Sequence, residues 1–316
     1  MLVSYRHLVS RAAPASHLQL IAGRCRAMSG QFTSHEERTA AQRREAGIET
    51  VKLRHIEPIN DTIRLMRLYS TDRNHSIKFL PGQWLDVFLP GLDKAGGFTI
   101  TSTPKEATPN GQDPAYLELA IQKSKNPPAQ WLWRPISEIL EQSIRVRVGG
   151  DFTWPPSHKP PAPVKRLVLI AGGVGINPLI SIASHLMQQK PQDRPQEIVF
   201  LYGTKATGSP IDARHILFLP RLEKMVTRMQ GPGVQLRLFL TSVTKEQLSN
   251  AVGMPEDVTL GRITDQDLDR SLGEIEGRKG TLCYVCGPQV MTDAFVDFLK
   301  SRPGLPPENV LCEKWW

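Results

Sequence analysis

The chain has 316 residues, 40% of them hydrophobic, and a net charge of +8. That length allows about two domains of ~150 residues, each able to bury its own core. No run approaches the ~18–20 apolar residues of a membrane helix, so the sequence reads as soluble and not as an integral membrane protein.

The charge is concentrated at the start. The first 35 residues carry Arg6, Arg11, Arg24 and Arg26 and no Asp or Glu, among many Ser, Ala and His. This composition fits a mitochondrial transit peptide over residues 1–30 and a soluble matrix protein behind it; an ordinary basic N-terminus is the plainer alternative. A secretory signal fits poorly, because no apolar core of ~7–15 residues follows the first charges. Removing four arginines from +8 leaves +4, so the basic balance belongs mostly to the leader and does not argue for nucleic acid. Residues 31–49 are dense in charge without an apolar stripe and read as a solvated linker.

From 50 to 153, short β-rich runs alternate with Pro, Gly, Asn and Asp. In AYLELAIQK, Leu117, Leu119 and Ile121 alternate with more polar neighbours, as in a half-buried strand. Closely spaced strands with turn signals predict a small antiparallel barrel. The proline-rich residues 154–163 (WPPSHKPPAP) form a stiff spacer and the domain boundary. From 164 to 316 strands and helices alternate, which predicts an α/β domain with a doubly wound parallel sheet. Pro220 is expected to kink the helix it falls in, and Asp265 to cap another.

The four cysteines make no disulfide framework. Cys283 and Cys286 form a C-x-x-C inside a strand, where residues three apart face opposite sides, so neither a redox pair nor a metal site is expected.

Three strands of the second domain run into glycines: Gly172, Gly173 and Gly175; Gly203; and Gly287. In a parallel sheet all carboxyl ends share one edge, and ligands bind there. Glycine lets a backbone turn and approach a ligand closely. Pro178 fixes the helix start, whose amides face an incoming anion such as a pyrophosphate. The spacing is neither G-x-G-x-x-G nor a phosphate loop. Thr204 and Lys205 stand where an acid would hold a ribose 2′-hydroxyl; Lys205 reads either as a receiver of the 2′-phosphate of NADP or as a solvated surface lysine.

AGGVGINPL, LYGTK followed by ILFLPRLEKM, and YVCGPQVMTDAFVDFL resemble, in order, the nucleotide-domain motifs of the ferredoxin–NADP reductase-like family. FLPGQW resembles the Pro-Gly-Gln turn of that family's flavin barrel. The resemblance covers residues 50–316. It implies a flavin-binding type barrel before an NAD(P)-binding domain, FAD rather than FMN, and hydride passing from nicotinamide to flavin. It implies that Gly172, Gly173, Val174, Gly175, Ile176, Asn177 and Pro178 hold the dinucleotide pyrophosphate. Gly203, Thr204 and Lys205 would flank the dinucleotide, and Cys286, Gly287 and Pro288 would sit beside the nicotinamide. In GGFTITSTP, Thr99 keeps the hydroxyl of the family's Arg-x-Tyr-Ser signature and Phe98 keeps the ring, but Gly96 replaces the arginine that clamps a flavin phosphate. Lys94 is the nearest stand-in. NPPAQWLW lacks the glycine and hydroxyl of the second phosphate site. Near the end, Glu313 matches a carboxylate that handles protons in some members, and Trp315 with Trp316 match an aromatic that covers the flavin; solvation of Glu313 and strand packing of the tryptophans are the alternatives.

The function implied is an NAD(P)H-dependent flavoprotein oxidoreductase passing electrons to an unidentified acceptor, an electron-acceptor protein being one candidate partner. The alternative is a nicotinamide dinucleotide sensor or interaction module with a degraded flavin site. No Gly-x-Ser-x-Gly elbow and no histidine pair suggests a hydrolase or a metal site.

Overall fold

The computed structural model describes residues 34–111, 114–158, 160–228 and 233–315. The basic leader and Trp316 lie outside the described residues.

The described chain begins with α1 (His35–Arg38), started by a capping box between Ser34 and Glu37. Six strands follow: β1 (Glu49–Asn60), β2 (Ile63–Ser70), β3 (Trp84–Phe88), β4 (Gly96–Thr99), β5 (Tyr116–Gln122) and β6 (Ser143–Gly149). They pair antiparallel in the order β4–β3–β6–β1–β2–β5. A bridge between Ile100 and Leu119 joins the two edges and closes the sheet into a barrel. Leu117, Leu119 and Ile121 turn inward with Leu53, Met66 and Leu85, as the alternation predicts. Two short helices, α2 (Pro127–Leu132) and α3 (Ile136–Ile139), follow β5.

The linker reading of residues 31–49 is corrected where they are described. Residues 34–47 form an arm folded onto the barrel. Gln42 accepts from Trp84 Nε1 at 2.9 Å, the Arg43 carbonyl accepts from Gly150 N at 2.9 Å, and Glu45 N donates to the Val148 carbonyl at 2.9 Å. Polar contacts and the one buried ring of His35 hold it, and these leave no hydrophobic period in the sequence.

The second sheet contains β7 (Arg166–Gly172), β8 (Glu197–Lys205), β9 (Val234–Thr241), β10 (Val258–Leu260), β11 (Thr281–Cys286) and β12 (Val310–Glu313). All pairs are parallel, in the order β10–β9–β8–β7–β11–β12. Helices cover both faces. Leu167, Leu169 and Ala171 pack under α4 (Ile176–Gln188) and α5 (Leu219–Arg228). Val168 and Ile170 share the opposite core with Leu268 of α7 (Asp265–Ser271) and Phe295 and Leu299 of α8 (Gln289–Lys300). The short α6 (Lys245–Ser249) precedes β10. Two local expectations change. Pro220 is the second residue of α5 and opens that helix rather than kinking it, because the first turn needs no amide there. Thr264, not Asp265, caps α7, accepting from the Asp267 amide.

Barrel and parallel sheet share one apolar core, to which Leu65, Ala120, Phe152 and Trp154 contribute from the barrel side. Polar contacts fix the seam. Glu118, 2% exposed, accepts from Arg67 Nε at 3.3 Å and from Arg221 Nη2 of α5 at 2.7 Å. Ser181 Oγ donates to the Ser102 carbonyl at 2.7 Å, and the Tyr284 hydroxyl donates to the Thr153 carbonyl at 2.6 Å. Replacing Glu118 with alanine strands two arginines at this seam. We expect Glu118→Ala to lower unfolding stability by about 2–4 kcal/mol in urea titrations; an unchanged midpoint would contradict the bridge.

Candidate functional site

The sheet order reverses between β7 and β11, so their carboxyl ends flank the crevice where such folds place ligands. Both ends are bare backbone. Gly172 closes β7, Gly173–Gly175 make one tight turn, and α4 begins at Ile176. Pro178 is the third residue of α4, still within the first turn, where its missing N–H leaves no bond unmade.

The glycines have different tasks. A Cβ on Gly175 would run into the Cys286 carbonyl, and one on Gly287 would lie 3.0 Å from Gly172 Cα. These three positions let the two loops touch backbone to backbone. Gly173 instead has φ +54°, and a Cβ there would meet nothing within 4 Å. It is the open floor of the cradle, next to the half-exposed Val174. A 13-residue helix begins beside this floor and presents a positive dipole end, although its Ile176 amide already donates to the Gly173 carbonyl. The bare turn leaves open space above Gly173 at the end of the helix dipole. Asn177 points elsewhere: its Nδ2 donates to the Ala120 carbonyl at 3.1 Å and ties the helix start to the barrel. Ile176 and Pro178 are buried beneath the turn.

Gly203 pairs with Gly172, and β8 continues through Thr204 to the exposed Lys205. Pro288 is exposed at the start of α8. Cys286 is fully buried, and burial, followed by the nearby Glu313, pushes its thiol up, so it remains protonated. It pairs in register with Glu313 of β12 and lies beside Trp315.

Glu313 is 3% exposed, and its Oε1 has no hydrogen-bond partner among the described residues. It lines a cavity of about 240 Å³ with Gln42, Asp151, Phe152, Leu311 and Cys312. Burial, and behind it the Asp151 charge, pushes its carboxyl up to about 8. The solvated reading of Glu313 is therefore set aside.

Trp315 stacks on His35 of the arm, with centroids 6.0 Å apart and planes at 23°. His35 stands edge-on to Trp84 at 4.5 Å, and a Cβ on Gly97 would run into its imidazole. Its Nε2 lies 3.3 Å from Asp86 Oδ1. Arg44 and Arg147 donate to Asp86 Oδ2 at 2.9 and 2.7 Å. Burial alone would raise the Asp86 carboxyl, but His35, Arg44 and Arg147 together hold it at about 2. Sequence reasoning missed His35, Gln42 and Asp86. The only available signal was a small glycine at 97, which leaves room for a ring.

The barrel side is less hospitable to a flavin diphosphate. A Cβ on Gly96 would run into Pro128 and lie 2.7 Å from the Phe98 ring, so the arginine's place is filled. Pro127 and Pro128 open α2 and remove two amides from its first turn, and Asn126 adds no side-chain cap. Lys94 is 3.4 Å from Glu37 of the arm, both exposed. The residues present do not fit a flavin diphosphate at this place. Thr99 is 5% exposed and pairs with Trp84.

Glu313 sets a pH dependence. The folded chain keeps a proton that the unfolded chain releases above its ordinary value of 4.5, so stability falls as pH rises from about 4.5 to about 8 and then levels. We expect Glu313→Gln to remove this fall. Its melting temperature relative to the parent should therefore rise by at least about 5 °C between pH 5 and pH 8. Parallel curves for the two chains would contradict the buried neutral acid.

The Oxidoreductase NAD-binding domain family model matches residues 169–297, which contain the cradle, Gly203 and Cys286. Among solved structures, the CS-b5R domains of human Ncb5or in the NAD+ form align with a TM-score of 0.63 at 16% identity, covering 85% of this chain and 70% of that one. A ferredoxin NADP+ reductase from Neisseria gonorrhoeae with bound FAD and NADP aligns at 0.60 and 13% identity, covering 85% and 99%. These neighbours establish the fold: an antiparallel barrel followed by a parallel-sheet domain of the reductase type. Among curated proteins, the Xenopus laevis oxidoreductase NAD-binding domain-containing protein 1 is 35% identical over 300 residues, 93% of this chain and 87% of its own. On that identity and coverage, the chain belongs to the family of oxidoreductase NAD-binding domain-containing protein 1.

Proposed function

We propose that this chain is an NAD(P)H-dependent oxidoreductase that holds the dinucleotide pyrophosphate on Gly173, Val174 and the first turn of α4. The observation that carries the reading is the pair of glycine loops touching at the switch point, with an open floor at Gly173. Cys286 and Gly287 would border the nicotinamide with neutral groups, so no fixed charge disturbs a ring that alternates between neutral and cationic. Glu313 would hold a proton below pH about 8, beside Cys286 and away from bulk water. Thr204 and the exposed Lys205 would meet the ribose, and Lys205 favours a 2′-phosphate. The acid-free leader supports mitochondrial delivery.

The first reading includes a flavin, whose ring end Phe98 and Thr99 would hold on the barrel. A second reading, a dinucleotide-binding module without a resident flavin, is favoured by one observation: Gly96 is filled in by Phe98 and Pro128. The visible spectrum of the purified chain separates them. A yellow protein bleached by NADH or NADPH supports the first, and a colourless one that still binds the dinucleotide supports the second.

The cradle itself is tested by two substitutions. Gly173→Ala places a methyl in open space at the floor, with a left-handed strain of only about 1–2 kcal/mol. We expect calorimetry to show NADH and NADPH bound at least about tenfold more weakly, with the fold intact. Gly175→Ala drives its methyl into the Cys286 carbonyl and should lower the melting temperature far more. A Gly173→Ala chain that binds both dinucleotides as the parent does would sink the proposal.

A further inference from the structure

A second, larger cavity of about 430 Å³ lies at the other end of α4, where Gln188 faces the barrel residues Arg67, Tyr69, Lys105, Glu106 and Tyr116. Thirteen residues of helix, roughly 18 Å by rise per residue, separate it from the cradle. Its volume falls within the ~300–1,000 Å³ of small-molecule sites, and it lies where the barrel meets the end of α4, an interface of the kind where such sites gather. Neither the dinucleotide nor the Glu313 cavity uses any of these residues.

The lining has two kinds of chemistry. Tyr69 and Tyr116 are neighbouring half-exposed rings, with centroids 5.6 Å apart and planes at 43°. The Arg67 guanidinium covers the Tyr116 ring at 4.8 Å. These surfaces suit a flat ring. The charges favour an anion. Glu106 is fully engaged: Oε2 accepts from Thr103 N at 2.7 Å and Thr103 Oγ1 at 3.2 Å, and Oε1 accepts from the Tyr116 hydroxyl at 3.0 Å. Beneath it, Glu118 is shared between Arg67 and Arg221. Counting Arg67, Arg221 and Lys105 against Glu106 and Glu118 leaves one positive charge, and Lys105 is the exposed one, with no ion pair among the described residues.

We propose that this cavity is an accessory binding site for a planar aromatic anion, a ring bearing a carboxylate or a phosphate, with the ring on Tyr69 and Tyr116 and the anion at Lys105 and Arg67. The site is independent of the dinucleotide cradle and of the reading given to it.

Calorimetric titration of the full chain with 4-hydroxybenzoate and with phenyl phosphate tests this. At least one should bind with Kd below about 1 mM, and the tighter of the two names the anion. Binding should persist with NADH at saturation. Lys105→Ala and Tyr69→Ala, each checked for an unchanged melting temperature, should weaken it at least about fivefold. Cyclohexanecarboxylate should bind at least about fivefold more weakly than 4-hydroxybenzoate. Four results would overturn the assignment: no heat from either probe at 5 mM (about the weakest affinity worth calling a site), displacement by NADH, parental affinity in both variants, or equal binding of the saturated ring.

Discussion

The fold's chemistry rests on one close approach, that of the β7–α4 turn against the end of β11. Gly175 lies on the Cys286 carbonyl, and Gly287 lies beside Gly172. Any side chain at these positions would push the loops apart and separate the start of α4 from Cys286 and from β12 behind it. Because β11 pairs with β12, the same approach brings Glu313 and Trp315 to the crevice. The backbone contact is thus the hinge on which three separate stretches of sequence come together.

The seam between barrel and parallel sheet holds that site still. α4 is tied at its first turn by Asn177 to Ala120 and one turn later by Ser181 to Ser102. Arg221 and Glu118 tie α5 to the same strand, and Tyr284 of β11 reaches Thr153. Each loop of the crevice is therefore anchored to the barrel through its own element. Hydrogen bonds to charged groups contribute roughly 1.5–3 kcal/mol each, so the carboxylate of Glu118 matters more to this seam than the neutral pairs do.

Much of this was legible in the sequence, and what was not has a physical reason. The parallel sheet was readable because its buried strands are continuous apolar runs between helix patterns, and the cradle because glycines and a proline mark backbone demands that no side chain can meet. The barrel strands were readable from alternation, as at Leu117, Leu119 and Ile121. The arm was not, since residues 34–47 dock through isolated contacts of Gln42, Arg43, Arg44 and Glu45. The burial of Glu313 was equally hidden, because an acid at a strand end looks alike in sequence whether water or Asp151 lies beside it. The loss of the arginine at Gly96 is plain in the sequence; that Phe98 and Pro128 fill its place depends on the fold, which brings α2 against β4.

The imidazole of His35 behaves as a plug. It fills a slot between Gly97, Trp84 and Trp315, and its neighbour Asp86 is kept ionised by His35 itself together with Arg44 and Arg147. Any flat molecule seeking that slot competes with the chain's own ring, present at high effective concentration because it is tethered. If the slot stands open about one part in a hundred, the apparent affinity of such a molecule falls about a hundredfold below its intrinsic value. Occupancy of the slot is thereby governed as much by how firmly the arm adheres as by the slot's own shape.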